Sequence, residues 1–215
     1  MALRRGESRF AAAAAVGVGI AAQALLSYEL VPGPRYVLPA IEALLVLGLL
    51  VADPNRLTPQ SKDLRLGSLA LIVVVALANT AALVRLVDKL VSGGGSGRQL
   101  LASAAGVWVT NVVVFGLAYW ELDRGGPLGR AGARPAPAHP DLWFPQDGDA
   151  KDATAKGWQP VFVDYLFVSL TASTAFSPTD TMPLTPRSKL LMGAQSLISL
   201  LTVGLVAARA VNILG

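Results

Sequence analysis

The chain contains no cysteine among its 215 residues, which excludes disulfide bonds and thiol catalysis. Its single histidine, His139, lies in a stretch rich in proline and alanine, so neither a histidine metal site nor a catalytic triad is expected. Charged residues are also scarce, at 15% of the chain against about 25% in an ordinary soluble domain. These shortages predict a protein that is not an enzyme and that binds no metal or cofactor.

Apolar residues make up 53% of the chain, and the few charges avoid the long apolar runs. This pattern is typical of a polytopic membrane protein whose helices lie in lipid. The net charge of +4 comes from basic residues in loops and tails, with no stacking aromatics among them. Membrane topology therefore explains the basic charge, and no nucleic-acid partner is expected.

The apolar runs predict an all-α fold, a polytopic bundle of membrane helices with five to six transmembrane segments. The predicted spans are 10–30, 37–52, 66–91, 100–120 and 190–213, with an additional one near 160–176. They divide the chain into a basic tail (1–9), a four-span bundle (10–120), a mobile polar loop (121–157) and a C-terminal hairpin with the last helix (158–215). The start also resembles a signal peptide, but the length of its apolar run favours a transmembrane helix.

The segment 161–176 can be placed in two ways. As a full span it gives six crossings and, with the N-terminus inside, an arginine and lysine bias of about two to one toward the inner side. As a re-entrant segment it enters and leaves the membrane on one side, and the C-terminus then lies outside. The full crossing is preferred, although the segment is short and its last third is rich in serine and threonine.

Hydroxyl side chains crowd the end of this segment and continue into a proline-rich break. Such groups and freed carbonyls can replace the hydration shell of an ion, and an aspartate can set the potential at a pore mouth. The pore-like or filter-like candidates are Thr171, Ser173, Thr174, Phe176, Ser177, Thr179 and Asp180. The alternative is that the hydroxyls bond back to their own helix and that the aspartate lies in a solvated turn.

The last helix carries a polar stripe. Its residues recur at spacings of four, three and seven, which places them on one face of a helix. They are Gln195, Ser199, Thr202 and Arg209. A pore-lining helix has such a stripe, and so does a helix that hydrogen-bonds to its neighbours inside a bundle.

Two charged residues inside predicted spans form a candidate pair. Glu42 lies near the start of the second span and Arg85 near the end of the third, so both are at the same side of the membrane. An isolated charge in hydrocarbon costs at least about 2.5–3.5 kcal/mol, so each is expected to have a partner. The pair is interpreted either as a structural contact near the interface or as a gate.

The stretch 165–187, YLFVSLTASTAFSPTDTMPLTPR, resembles the pore hairpin of two-transmembrane-type potassium channels. In those channels an aromatic pore helix leads into a threonine-rich filter with Gly-Tyr-Gly-Asp, and a Pro and a Thr-Pro precede the inner helix. The residues that follow this order are Thr174, Asp180, Pro183, Thr185 and Pro186. Ala-Phe-Ser-Pro-Thr at 175–179 replaces the filter glycines, and its proline lacks a backbone donor. The resemblance therefore implies a pore-like hairpin without potassium selectivity.

Nearly the whole chain is similar to an uncharacterised bacterial family of small multispanning membrane proteins. The shared features, in order, are DPNRLTP after the second span, LWFP at 142–145, the hairpin at 165–180 and AVN at 210–212. The similarity implies a multi-pass protein of the bacterial inner membrane with no established activity.

The expected function is that of a channel-like or transport protein that passes a small ion or solute. Its expected partners are the lipid bilayer and, if the hairpin is re-entrant, further copies of the chain in a homo-oligomer. The alternative is a non-conducting membrane protein that binds a partner protein or lipid.

Overall fold

The protein is described by a computed structural model that covers residues 10–31, 34, 36, 39–40, 43, 60–93, 96–132, 137, 139–148, 158–174 and 181–214. Its α-helices are α1 (Phe10–Gln23), α2 (Gln60–Ser92), α3 (Gly97–Leu122), α4 (Gly126–Arg130), α5 (Phe162–Thr174) and α6 (Pro186–Leu214). Short 3₁₀ turns cover Tyr28–Leu30, Asp123–Gly125 and Pro145–Asp147, and two short strands are β1 (Leu142–Trp143) and β2 (Met182–Pro183). The fold is therefore mostly helical.

Three helices are long and apolar enough to cross a membrane, in the stretches Arg65–Ser92, Gly97–Arg130 and Pro186–Arg209. These stretches agree with three of the predicted spans and identify the chain as a membrane protein. Helices α1 and α5 are also apolar but have only 14 and 13 residues, fewer than the roughly 20 that a bilayer requires. Most of the predicted span 37–52 lies outside the described residues.

Helix α3 is the centre of the bundle. Its apolar stretch is 67% buried, whereas those of α2 and α6 are only 28% and 17% buried. Helices α1, α2, α5 and α6 all pack against it. Two glycines of α3 permit this approach: a methyl group on Gly106 would lie 2.6 Å from Leu26 of the chain after α1, and one on Gly116 would lie 3.3 Å from Leu166 of α5.

The contacts along α3 define two ends of the bundle. At the Asp123 end, Ala12 of α1 shares a core with Trp120, and Arg65 of α2 donates to the carbonyl of Glu121 at 2.9 Å. At the Ser96 end, the backbone N–H of Ser27 donates to Ser103 Oγ at 3.1 Å. Helices α1 and α2 therefore both run antiparallel to α3.

Only residues 93–96 separate α2 from α3, a length that is common between antiparallel helices. Gly93 follows α2 with φ = 75°, a left-handed conformation that suits glycine after a helix end. Ser96 caps α3 by accepting the Gln99 N–H.

The structure differs from the predicted mobile loop over much of 121–157. Helix α4, two 3₁₀ turns and strand β1 form there, and Asp123, Asp141, Leu142 and Phe144 are buried. Composition suggested a loop because the segment is rich in glycine, proline and charge. Long-range contacts instead fold the described part of it onto the end of α3.

Candidate functional site at the hairpin of α5 and β2

Helix α5 begins at the Asp123 end of the bundle, where the ring of Phe162 packs edge-on against Trp120 with centroids 5.8 Å apart. Ser169 donates from Oγ to the carbonyl of Val112 at 2.6 Å, and the Trp108 indole donates to the Ser173 carbonyl at 3.3 Å. Helix α5 therefore runs antiparallel to α3 and follows it for three helical turns.

Strand β2 returns to the end where α5 began. It pairs antiparallel with β1, with Leu142 opposite Pro183 and Trp143 opposite Met182. The Leu184 N–H then donates to the carbonyl of Asp141 at 2.8 Å. Both flanks of α5 thus lie at the Asp123 end, which differs from the full crossing expected for 161–176.

The hairpin, defined here as α5 and β2, reaches well into the bundle. Ser173 contacts Trp108, and Phe162 contacts Trp120, so α5 advances along α3 by twelve residues, or roughly 18 Å. A bilayer has a hydrocarbon core of about 30 Å. The C-terminal end of α5 therefore lies closer to the middle of the bundle than to either end.

Asp123 holds the first flank in place. Its side chain is fully buried, and Oδ1 accepts the N–H groups of Asp141 and Leu142 at 2.7 and 3.2 Å. Oδ2 accepts the Tyr165 hydroxyl at 2.6 Å and Arg124 Nε at 3.2 Å. One carboxylate therefore joins the end of α3, strand β1 and the first turn of α5.

Asp141 holds the second flank. Oδ1 accepts Thr185 Oγ1 at 2.5 Å and Arg187 Nε at 2.7 Å, and Oδ2 is paired with Arg187 Nη2. Its backbone carbonyl also accepts Ser188 Oγ at 3.0 Å. We call Asp123 and Asp141 the clasp, because together they fix the entry of α5 and the start of α6 to the end of α3.

Arg130 from α4 covers the clasp. Its guanidinium donates to the carbonyls of Trp120 and Asp123 at 2.9 and 3.1 Å. It also lies 4.9 Å from the centroid of the Tyr165 ring and 5.9 Å from that of Trp120. Cation–π contacts and charge-assisted hydrogen bonds of this kind attach α4 to the end of α3 and to α5.

A buried polar seam joins α3, α5 and α6. Gln195 is fully buried, and its Nε2 lies 2.7 Å from the Ser169 carbonyl, Ser169 Oγ and Ser173 Oγ. Its Oε1 accepts the Tyr119 hydroxyl at 2.5 Å. The seam continues at Asn111, whose Nδ2 donates to the Gln195 carbonyl and to Ser199 Oγ. We define the polar seam as Asn111, Tyr119, Ser169, Ser173, Gln195 and Ser199.

The polar stripe of the last helix therefore faces protein. Gln195, Ser199 and Thr202 are at most 2% exposed, and Thr202 Oγ1 donates to the carbonyl of Ile198 in its own helix. Arg209 is half-buried nearer the Ser96 end. Gln195 and Ser199 hydrogen-bond to other helices, as the second interpretation of the stripe expects, whereas Thr202 bonds within its own helix.

The hydroxyl cluster of the hairpin is placed only in part. Thr171 Oγ1 donates to the carbonyls of Phe167 and Val168, and Thr174 Oγ1 donates to that of Thr171. Ser173 accepts from Gln195. The remaining candidates, Phe176, Ser177, Thr179 and Asp180, lie outside the described residues.

Only one residue of the predicted pair Glu42 and Arg85 lies in the described part of the chain. Arg85 is exposed on α2, and Glu42 lies outside the described residues. The structure does contain an ion pair at this end, between Lys89 of α2 and Glu29 of the turn after α1. Sequence reasoning missed this pair because Glu29 lies in a turn, outside any helical spacing with Lys89.

The clasp was missed as well, since Asp123, Asp141 and Arg187 are distant in sequence and lie in segments that read as loops.

Within the described ranges, no three acidic, histidine or cysteine side chains are grouped to hold a metal ion. No family model matches the chain, and no curated protein or solved structure matches it significantly.

Proposed function

We propose that this protein is a channel-like or transport protein whose hairpin is re-entrant in the membrane. The observation that supports this most directly is the common position of both flanks of α5 at the Asp123 end. Pore hairpins have this arrangement: a short helix ends near the middle of the membrane, the chain returns, and a full helix follows. Here the full helix is α6.

The charge distribution supports the same topology. With a re-entrant hairpin, Arg187 and Lys189 join the loop arginines and lysines of the Asp123 side, and Arg209 moves to the opposite side. The basic excess on the Asp123 side is then larger than with six spans, as the positive-inside rule favours. We therefore place the Asp123 end inside.

The proposed path follows the C-terminal end of α5, where Thr171 and Thr174 are half-buried. The polar seam is not part of this path, because its side chains bind one another between α3, α5 and α6. Irregular backbone at membrane depth is tolerated only beside protein or a hydrated cavity. A path at this position is therefore compatible with the bilayer, and it would lie between protomers of a homo-oligomer.

The experiment is ion flux in liposomes with cysteine variants of this cysteine-free chain. We expect the purified protein to raise flux above protein-free liposomes. A charged thiol reagent should then reduce flux through Thr174→Cys but not through Leu200→Cys, whose side chain faces outward on α6. Flux at the protein-free level from monodisperse protein would contradict the proposal.

A second candidate is a non-conducting membrane protein that binds a partner protein or lipid. It is favoured by the internal hydrogen bonds of Thr171, Ser173 and Thr174, which leave each of these hydroxyls with a partner inside the protomer. In this case the hairpin serves packing alone. Absence of flux together with full stability in the same preparation is the result that this candidate predicts.

A further inference from the structure

An apolar groove runs between α1 and α2, with α3 as its floor. Its volume is about 320 Å³, including the part that is open to the outside. Eight of the ten described residues that line it are apolar or glycine, and the two polar ones are Gln23 and Thr110. An ordered water needs roughly two to four polar partners, so the groove is a poor site for water. It is therefore suited to an apolar occupant.

The groove lies in one half of the bundle. At the Asp123 end, Arg65 of α2 donates to the carbonyl of Glu121, and the apolar stretch of α2 begins at Arg65. On α3 the lining runs from Leu117 to Thr110, which is four to eleven residues from Glu121, or roughly 6–17 Å along the helix. The hydrocarbon depth of one leaflet is about 15 Å, half of a core of roughly 30 Å. The groove thus has the depth of a single leaflet.

The groove is too narrow for a helix. Over a length of roughly 11 Å, a volume of about 320 Å³ corresponds to a width of roughly 6 Å, whereas a helix with its side chains is about 10–12 Å wide. A single hydrocarbon chain is much thinner than a helix. Beside the groove, Val18 of α1 and Val74 of α2 are exposed, so its open side continues the apolar surface that faces lipid.

We propose that the groove binds one acyl chain of a phospholipid from the leaflet at the Asp123 end. The headgroup then lies at the level of Arg65 and Glu121, and the chain extends from there along α3 toward Thr110. This gives the lipid-binding candidate function a specific site, but it does not require that candidate, because a conducting protein can hold the same lipid. Its tests measure lipid and not flux, so its failure is distinguishable from failure of the proposed function.

The first test counts the phospholipids that stay bound. The protein is stripped of lipid in detergent and incubated with palmitoyl-oleoyl phosphatidylcholine, and native mass spectrometry measures the lipid-bound fraction. Val16→Trp fills the groove, whereas Val18→Trp adds the same ring to α1 at an exposed position outside the lining. We expect one bound lipid in the unchanged protein and in Val18→Trp, and a bound fraction at least tenfold smaller in Val16→Trp. Equal fractions in the two variants, or no bound lipid in the unchanged protein, would overturn the proposal.

The second test uses the unchanged chain and so does not depend on how a variant folds. One equivalent of phosphatidylcholine with a diazirine in its acyl chain is added to the stripped protein and illuminated. Peptide mass spectrometry should place the adducts on the peptides that contain Val16 and Ile72, with at least tenfold fewer on the α6 peptide that contains the exposed Leu197. Equal labelling of α6 would show non-specific contact and overturn the proposal. Absence of adducts from the groove, as expected if another part of the chain or a second copy fills it, would overturn it too.

Discussion

Gln195 makes more polar contacts than any other residue described in the polar seam, and three helices meet at it. Its amide binds Ser169, Ser173 and Tyr119, all of them buried. A buried polar group that loses its partner costs about 1–3 kcal/mol, and interhelical hydrogen bonds in membranes average near 0.6 kcal/mol. The seam is therefore a principal contact that holds α5 between α3 and α6.

We expect Gln195→Leu to destabilise the protein by about 2–3 kcal/mol, because it leaves the buried hydroxyls of Tyr119 and Ser173 without their partner. This corresponds to a fall in melting temperature of roughly 4–12 °C for a chain of this size. Thermal unfolding in detergent, followed by size-exclusion chromatography, measures it. Leu200→Ala, at an exposed position of α6, is the control and should change the melting temperature little.

Asp141 is a second residue whose substitution we expect to destabilise the structure locally, at the start of α6. Asp141→Asn removes the charge that Arg187 requires, and a hydrogen bond to a charged group contributes about 1.5–3 kcal/mol. The start of α6 should then open more often. Trypsin should cleave after Arg187 roughly tenfold faster or more, because proteolysis of a rapidly closing segment tracks its open population.

The control for this prediction is Asp88→Asn, an exposed carboxylate near the other end of the bundle. Cleavage after Arg187 that is equally fast in Asp141→Asn and in the unchanged protein would mean that Asp141 does not hold this flank.

At the scale of residues, Gln195, Ser199 and Thr202 recur at helical spacing and are all buried, whereas Arg209, the fourth residue of the predicted stripe, is half-buried. Helical periodicity does not show what this face contacts. Lining a pore and packing against other helices therefore fit the sequence equally well. Only the position of Ser169 and Asn111, which come from other helices, decides that the face is buried. The clasp could not be predicted, because no local pattern marks a carboxylate that binds backbone groups eighteen residues away.

At the scale of elements, α1 and α5 pack closely against α3 at positions where α3 has glycine. A methyl group on Gly106 would lie 2.6 Å from Leu26 and 2.7 Å from the Ala22 carbonyl, whereas one on Gly193 of α6 would meet nothing within 4 Å. Both glycines lie inside long helices, so a substitution changes helix propensity similarly at each. The pair therefore separates packing from propensity.

Gly106→Val should displace the end of α1 and destabilise the protein by about 1–3 kcal/mol or more, as overpacking does. Gly193→Val should be neutral or slightly stabilising. Melting temperatures of the two variants, measured side by side, test this. Equal losses at both positions would show that the close contact of α1 with α3 is not what Gly106 provides.

The long elements were predictable, and the short ones were not. The apolar runs at 66–91, 100–120 and 190–213 correspond to α2, α3 and α6, each of which extends beyond its predicted limits. Apolar character does not reveal the end of α5 at Thr174, since the run beyond it reads as hydrophobic until Phe176. Strands β1 and β2 have two residues each, and bonds of the clasp lie beside both of them, which no local sequence pattern marks.

At the scale of the whole molecule, we propose that α5 does not cross the membrane, because both of its flanks lie at the Asp123 end. Helix α6 then crosses from the Asp123 end to the Ser96 end, and Arg187 lies on the same side as the loop at 139–148. The sequence favours six spans because the sixteen residues of 161–176, which are all apolar or hydroxyl-bearing apart from Asp164, are close to a spanning length. The distribution of basic residues alone does not exclude six spans, because the six-span and the re-entrant topology both place most of these residues inside.

The most direct measurement labels single cysteines in intact cells and inverted vesicles with an impermeant maleimide. Suitable positions are Gln146, in the loop at the Asp123 end; Lys189, at the start of α6; and Ser92, at the Ser96 end. All three are exposed. We expect Gln146→Cys and Lys189→Cys to label from one side and Ser92→Cys from the other. Labelling of Lys189→Cys together with Ser92→Cys, opposite Gln146→Cys, would contradict the re-entrant hairpin and restore a sixth crossing.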